Sequence, residues 1–174
     1  MAGAGRERAW VRGAQGGDAS SLEALFRHHW TGAYRAAYLV LHDAAAAEDI
    51  AQEAFLAAVR NLDRFDRRRP FGPWLHRIVV NRAIDWARMR ALRPEAGGDA
   101  LARAVAPERN ELGDGALDAI RSLSPEHRAV IVLRYLLEYT PGEIARLLDL
   151  PRGTVNSRLR RALDALGERL EERS

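Results

Sequence analysis

The feature that most constrains the fold is a pair of short amphipathic patterns within residues 140–161, which read TPGEIARLLDLPRGTVNSRLRR. Thr140, Pro141 and Glu143 have the order of an N-cap, a first-turn proline and a capping-box glutamate. A proline and a glycine then interrupt the pattern between residues 149 and 153. On each side of this break apolar residues recur at helical spacing, namely Ile144, Leu147 and Leu148, then Val155, Leu159, Ala162, Leu163 and Leu166. The layout predicts a helix-turn-helix.

The second helix of this motif has a polar, basic face opposite its apolar stripe. That face contains Asn156, Ser157, Arg160 and Arg161. The second helix of a helix-turn-helix can lie in the major groove of DNA, where such side chains reach base edges and phosphates. An ordinary helical hairpin with a solvated face is the alternative, and DNA binding is the interpretation that we favour.

Composition narrows the class of protein. The 174 residues are 47% hydrophobic and 29% charged, which is enough for packed cores in a water-soluble chain. No apolar run approaches the roughly 20 residues that span a bilayer, and the first residues lack the apolar stretch of a signal peptide. We therefore expect a cytoplasmic protein without membrane insertion. The absence of cysteine excludes disulfides, thiolate catalysis and Cys-based zinc sites.

The net charge is only +3, but basic and acidic blocks alternate along the chain. Residues 64–93 contain nine arginines and two acids, and residues 151–161 contain four arginines and no acid. Residues 43–63 contain five acids and one arginine, and residues 95–118 contain six acids and two arginines. Two basic blocks separated by acidic ones indicate two contacts with a polyanion and other surfaces that avoid it.

The remaining periodicities predict an all-α protein of two small helical domains joined by a flexible linker. The first domain is predicted over residues 18–91, the linker over 92–115 and the second domain over 116–170. Glycines and prolines remove helical periodicity from the linker. The predicted elements are a helix over 20–41 opened by a Ser20–Glu23 capping box, a helix over 44–62, a loop over 64–73, a helix over 74–90, a helix over 116–122 and another starting at Ser124-Pro125.

The helix over 74–90 has two distinct faces when projected at 100° per residue. Leu75, Val79 and Trp86 share one face with Arg82 beside them, and we expect Arg82 to pair with an acid of its own domain. The opposite face contains Arg77, Asn81, Ile84, Asp85 and Arg88. Its arginines can contact phosphates while Asn81 reads a base, although a merely solvated face would have the same pattern.

The helix over 44–62 has an acidic stripe formed by Asp49 and Glu53, with Arg60 on the same face and Gln52 and Leu56 along its border. This stripe would repel DNA and could dock a protein. An intrahelical salt-bridge surface is equally consistent with the pattern. Phe55, Val59 and Leu62 are predicted to lie on the buried side of this helix.

Aromatic residues flank the arginine-rich loop over 64–73. Phe65, Phe71 and Trp74 could form a pocket for a base extruded from the DNA stack. Aromatic residues at such positions can also simply anchor a loop to the core, and for Trp74 we favour the core.

Three segments in a fixed order carry a resemblance to a known family. They read DAAAAEDIAQEAFLAAVRNLDRF, FGPWLHRIVVNRAIDWAR and LSPEHRAVIVLRYLLEYTPGEIARLLDLPRGTVNSRLRRAL. Together they resemble the extracytoplasmic-function (ECF) group of sigma factors, which are two-domain specificity subunits of bacterial RNA polymerase. The resemblance covers about residues 18–168, including the position of the linker.

The resemblance implies a role for each face of the first domain. Asp49, Gln52 and Glu53 match the D-x-x-Q-E motif that faces the clamp helices of core RNA polymerase, and with Leu56 and Arg60 they form the expected polymerase-binding set. The helix over 74–90 corresponds to the reader of the −10 promoter element, with the loop over 64–73 closing on a captured base. Its expected DNA contacts are Arg77, Asn81, Asp85 and Arg88.

The second domain corresponds to the reader of the −35 promoter element, with the polymerase flap region as a further partner. Asn156, Ser157 and Arg160 match its base-facing positions, and Arg158 and Arg161 are expected phosphate contacts. Thr154 is expected to contribute near the start of the helix. Because Asn156 stands where relatives often have a basic residue, the −35 sequence cannot be transferred from them.

The expected function is therefore that of a sigma factor, which directs core polymerase to promoters and assists strand opening. We expect no cofactor, no metal and no enzymatic activity, and an anti-sigma factor as a further partner. One alternative is a stand-alone helix-turn-helix repressor or activator. Another is a helical metalloenzyme, but the five histidines lack the Glu-x-x-His spacing of a diiron bundle.

Overall fold

The computed structural model describes residues 2–92 and 114–171, and every regular element within these ranges is a helix. The first region contains α1 (Ala2–Gln15), α2 (Ala19–Leu41), α3 (Ala44–Arg60), a 3-10 turn (Leu62–Arg64) and α4 (Phe71–Ala91). The second contains α5 (Asp114–Arg121), α6 (Pro125–Ile131), a π-helical segment (Val132–Leu136), α7 (Pro141–Leu148) and α8 (Arg152–Glu171). The expected all-α class is confirmed. Most of the predicted linker lies outside the described residues.

Helix α1 was not predicted from the sequence. It contains two glycines in its first turn, has no acidic residue there, and carries few large apolar side chains. Tertiary contacts hold it in place, since Val11 is buried and α1 packs on α2. The side-chain amide of Gln15 donates hydrogen bonds to the carbonyl oxygens of Leu62 (2.8 Å) and Phe65 (3.0 Å). The helix thus supports the turn that leads into the arginine-rich loop.

Two predicted helix starts were wrong. Asp18, rather than Ser20, caps α2, because its carboxylate accepts the backbone N–H groups of Ser20 and Ser21. Helix α4 begins at Phe71 instead of residue 74, and its Phe71 N–H donates to a carboxylate oxygen of Glu7 at 2.6 Å. A proline within the first helical turn is compatible with this earlier start, since no intrahelical N–H bond is needed there.

The helix-turn-helix is confirmed in α7 and α8. Thr140 and Glu143 form both bonds of the predicted capping box. Asp149 ends α7 in the left-handed conformation at φ 55°, and α8 begins three residues later at Arg152. The apolar side of α8 is buried at three of its expected positions, Val155, Leu159 and Ala162, whereas Leu163 is exposed.

The core of the first region is built from α2, α3 and α4, with an unusual share of alanine. Seven alanines of α2 and α3, two helices that pack against each other, have fully buried side chains. They are Ala33, Ala36, Ala37, Ala47, Ala51, Ala54 and Ala58. Small side chains at these positions let the helix backbones approach closely and leave no room for a larger residue.

The two regions pack against each other through α2 and α4. Helix α2 contacts α6 and the π-helical segment, and α4 contacts α6 and α7 as well as α1, α2 and α3. Burial therefore extends round most of α4, and Ile84, predicted to share the open face of Asn81, is instead buried. The opposite error was made for α3, where Val59 was predicted to be buried but is exposed. Among the described helices, none combines the length and the apolar character needed to cross a bilayer.

Candidate polymerase and promoter surfaces

The predicted polymerase-binding residues share one open face of α3. Asp49, Gln52, Glu53, Leu56 and Arg60 are all exposed. They recur along the helix at spacings of three and four residues, so successive turns present them in one direction. Leu56 is 57% exposed and lies between Glu53 and Arg60 on this face.

An apolar groove borders this face, and sequence reasoning missed it. The groove lies between α2 and α3, has a volume of about 450 Å³, and is lined by Phe26, Phe55, Leu56 and Val59 among others. The ring of Phe26 lies 4.9 Å from that of Phe55, centroid to centroid. The signal was present in the sequence, because Val59 lies one helical turn after Leu56, but its exposure depends on where α2 crosses α3.

Glu53 has an intramolecular partner on α4. Arg82 Nη1 lies 3.1 Å from Glu53 Oε2, which confirms that Arg82 pairs with an acid of its own region. Both side chains remain substantially exposed. Asp49 has no such ion pair among the described residues, so it is the less constrained of the two acids.

The predicted −10 contacts fall into two groups on α4. Arg77 and Asp85 are exposed and Asn81 is half-buried, so their side chains are open to solvent to differing degrees. Arg88 is also exposed, but its Nε lies 2.6 Å from Oε1 of Glu126 on α6. Burial raises the pKa of Glu126, but the hydrogen bond from Arg88 and the charges of Arg88 and Arg158 outweigh it and lower the pKa.

The aromatic residues around the loop form a compact cluster. The Phe65 and Trp74 rings are 4.6 Å apart and the Phe71 and Trp74 rings 5.6 Å apart, centroid to centroid. Phe65 and Phe71 are buried, and Trp74 is half-buried against the core, as the core interpretation of Trp74 predicts. The cluster thus anchors the loop and leaves one side of Trp74 accessible.

A cleft of about 990 Å³ opens beside this cluster. The first region lines it with basic side chains and Trp74, and α7 and the residues before it form the other wall. The charged and aromatic lining residues are Arg64, Phe65, Asp66, Arg69, Trp74, Arg77, Tyr139, Glu143 and Arg146, so four arginines outnumber two acids. A net basic lining with aromatic rings suits a polyanion that carries aromatic bases.

A second link between the regions lies next to this cleft. His76 Nδ1 on α4 and the Tyr139 hydroxyl form a hydrogen bond of 2.8 Å. Burial, and to a smaller extent the charge of His29, lowers the pKa of His76 to about 4, so its ring is neutral near pH 7. Burial also raises the pKa of Tyr139, which remains protonated.

The predicted −35 contacts lie at the N-terminal half of α8. Asn156, Arg160 and Arg161 are exposed, and Thr154, Ser157 and Arg158 are half-buried. The Ser157 hydroxyl donates to the Thr154 carbonyl oxygen at 3.1 Å, so Ser157 must release that bond before it can donate to a base. The structure thus places Asn156, Arg160 and Arg161 on one open, basic surface.

These surfaces define a class: an all-α protein with a helix-turn-helix in one region and an acidic, apolar docking face in the other. The family descriptions "Sigma-70 region 2" and "Sigma-70, region 4" match residues 25–93 and 115–166. The chain is 38% identical to the ECF RNA polymerase sigma factor SigW of Bacillus subtilis over 157 residues, covering 80% of this chain and 83% of SigW. It is 35% identical to the ECF RNA polymerase sigma factor SigL of Mycobacterium tuberculosis over 169 residues, covering 93% of this chain and 96% of SigL.

Solved structures agree with these relatives. CnrH, determined in complex with the cytosolic domain of CnrY, is 29% identical with a TM-score of 0.73, covering 97% of this chain and 99% of CnrH. The sigma factor RpoE of Bartonella quintana, determined with the anti-sigma factor NepR, is 22% identical with a TM-score of 0.72 over 86% of this chain and 96% of RpoE, and it shows the shared fold. The chain belongs to the ECF family of RNA polymerase sigma factors. A stand-alone repressor or activator is not favoured, since the family matches include both regions.

Proposed function

We propose that this family member directs core RNA polymerase to specific promoters and assists strand opening through three of its surfaces. The observation that carries the proposal is the exposed Leu56 beside an apolar groove on an otherwise acidic face. Exposed apolar side chains rimmed by charges are typical of a protein docking site. The acidic residues of this face repel DNA, so polymerase rather than the promoter is its partner.

Promoter recognition is assigned to α8 and α4. The exposed Asn156, Arg160 and Arg161 of α8 would read the −35 element as duplex DNA, with Thr154, Ser157 and Arg158 supporting them. On α4, Arg77 lines the basic cleft beside Trp74, and Asn81 lies one helical turn further along the same helix. An extruded −10 base would be held between the cleft and Asn81. Asp85 and Arg88 extend this surface towards the end of α4.

Strand opening depends on polymerase in this proposal. Unpairing and unstacking a base costs a few kcal/mol, and docking of the α3 face to the clamp helices would help to offset that cost. The free chain should therefore bind promoter DNA weakly. The chain contributes no catalytic group and needs no cofactor, because polymerisation belongs to the core enzyme, and it would act in the cytoplasm.

The packing of the two regions limits the access of DNA to α4. Arg88 is paired with Glu126 and His76 is bonded to Tyr139, so α6 and the segment before α7 lie against α4. Glu126 accepts the Nε–H of Arg88 and offsets its charge, so it competes with a phosphate for this guanidinium. We propose that holoenzyme formation separates α4 from α6, and that the described arrangement belongs to the chain before it engages DNA.

An anti-sigma factor is a further proposed partner. It is supported by the similarity to CnrH, which was determined with the cytosolic domain of CnrY. An apolar groove of about 360 Å³ between α2 and the second region, lined by Leu39, Tyr135 and Leu163 among others, could receive a helix of such a partner.

The proposal is tested with purified core polymerase and the variant Asp49→Arg. Binding to core should weaken at least tenfold, and run-off transcription from genomic promoter fragments should fall with it, because the charge reversal opposes docking. Glu168→Arg is the matched control, since Glu168 is an exposed acid near the far end of α8. If Asp49→Arg and the control bind core as tightly as the unmodified chain, the docking surface is wrongly assigned.

A further inference from the structure

A small group of metal-ligating side chains lies where α1 and α2 meet the start of α4, next to Phe71 of the aromatic cluster. Glu7 of α1 meets the adjacent His28 and His29 of α2, and one donor atom from each lies within 4.8 Å of the other two. The sequence did not predict this group, because Glu7 lies about twenty positions before the two histidines and belongs to α1, a helix that was not predicted.

His29 is the centre of the group. It is only 8% exposed, and its Nε2 is buried without a hydrogen-bond partner among the described residues. Oε2 of Glu7 lies 3.8 Å from this atom, beyond hydrogen-bonding distance. A buried polar atom without a partner is costly, and this one points towards a carboxylate across a gap.

The other carboxylate oxygen of Glu7 holds its side chain in position. Its Oε1 accepts the backbone N–H of Phe71 at 2.6 Å, which leaves Oε2 available on the side of His29. The side chain is only 17% exposed, and no ion pair with an arginine is found for it in the described parts of the chain. Buried charged groups are normally paired with an opposite charge or bound to a metal ion. This largely buried carboxylate therefore lacks the cation that would usually accompany it.

We propose that Glu7, His28 and His29 bind a divalent transition-metal ion of the Zn²⁺ type. Two imidazoles and a carboxylate are a common zinc ligand set. Bonds of about 2.0–2.1 Å in tetrahedral geometry separate donor atoms by about 3.4 Å, so the gap between Glu7 and His29 needs only a small contraction. His28 is exposed and can turn its ring to complete the set.

With three protein ligands, one of the four tetrahedral coordination positions would be left for water.

The bound ion would connect three helices through one carboxylate. Glu7 Oε2 and the two histidines would join α1 to α2, while Glu7 Oε1 keeps its bond to the first residue of α4. Since an ion that binds only the folded chain stabilises it by mass action, zinc should stabilise the chain and protect the amides of α1 in particular.

The test uses the full chain, freed of metal with a chelator and titrated with zinc chloride by calorimetry. We expect one zinc ion per chain, a rise in the thermal midpoint, and slower amide hydrogen exchange in α1. His28→Ala and Glu7→Gln should each weaken zinc binding at least tenfold and abolish the thermal shift. His28 is exposed, and a glutamine at position 7 can still accept the Phe71 N–H, so both variants should fold.

His127→Ala is the matched control, because His127 lies on α6 away from the group and should leave zinc binding unchanged. If the unmodified chain binds no stoichiometric zinc, the site does not exist. If His28→Ala binds zinc as tightly as the unmodified chain, the ion is held elsewhere and the assignment is wrong.

Discussion

Arg88 and Glu126 join the two helical regions through an ion pair of 2.6 Å between Nε and Oε1. Arg88 belongs to the proposed −10 surface, whereas Glu126 lies in the first turn of α6. The carboxylate accepts the Nε–H of the guanidinium that we propose contacts a promoter phosphate. We therefore predict that Glu126 weakens DNA binding by competing for Arg88.

The variant Glu126→Gln should free Arg88 and increase the affinity of the isolated chain for single-stranded DNA. A partly exposed ion pair is worth about 0.2–1 kcal/mol, so the affinity should rise by no more than roughly fivefold. Fluorescence anisotropy over a range of salt concentrations measures it, and the salt dependence should steepen as one more phosphate is neutralised. Glu168→Gln serves as the control, and equal affinities for both variants would exclude the competition.

Asn81→Ala and Asn156→Ala should separate the two promoter contacts. Loss of a base contact costs about 1–3 kcal/mol. In holoenzyme, Asn81→Ala should therefore reduce open-complex formation, measured by permanganate reactivity of unpaired thymines. It should leave binding of the −35 duplex intact. Asn156→Ala should instead weaken binding of the −35 duplex and leave unchanged the permanganate reactivity of a template whose −10 region is already open. If each variant lowered both quantities equally, the assignment of the two elements to separate helices would be rejected.

His42 should make the chain less stable in mild acid. It is buried at the C-terminal end of α2, and burial lowers its pKa to about 3, with smaller contributions from Arg128 and Arg121. The unfolded chain, in which a histidine titrates near about 6.5, binds this proton more readily. The stability that neutral His42 contributes is thus complete above that pH and is lost as the pH falls towards 3.

The variant His42→Asn tests this effect, because asparagine tolerates the left-handed conformation found at φ 52°. Between pH 6 and 4 the free energy of unfolding of the unmodified chain should fall more steeply than that of the variant, by about 1 kcal/mol per pH unit. Urea unfolding at several pH values gives both slopes. Parallel slopes would show that His42 takes up no proton on unfolding.

Gly142→Ala should stabilise the helix-turn-helix. Gly142 is the second residue of α7, and a Cβ there would meet no atom within 4 Å. Alanine is favoured over glycine by about 0.5–1 kcal/mol in a helix interior, so in the first turn the gain should not exceed the lower end of that range. Thermal unfolding should show the gain. Gly13→Ala is the contrasting variant, since its Cβ would overlap the Ser21 side chain, and it should destabilise the chain.

The features that could be predicted from the sequence depend on residues that lie close together in the chain. The Thr140–Glu143 capping box and the buried Val155 and Leu159 depend on residues close together in the chain, and both predictions are confirmed. Pairing of Arg82 with an acid of its own region is likewise confirmed. The open face of α3 could be predicted because its polar side chains recur at helical spacing.

The missed features depend on contacts between distant segments. Helix α1 is held by tertiary packing and by Gln15, which bonds to residues 47 and 50 positions away. The Arg88–Glu126 pair spans 38 positions. The burial of Ile84 and the exposure of Val59 likewise depend on which neighbours cover each helix, and helical periodicity alone does not contain that information.

The fully buried alanines of α2 and α3 have a mechanical consequence. A bundle packed this closely has low compressibility, so its helices should move together as one rigid body. Leu56 of the proposed polymerase-binding face and Asn81 of the proposed −10 surface belong to this bundle, so we expect the distance between them to stay fixed when the chain binds polymerase. The small side chains of the core would thus set the spacing between the two proposed contacts.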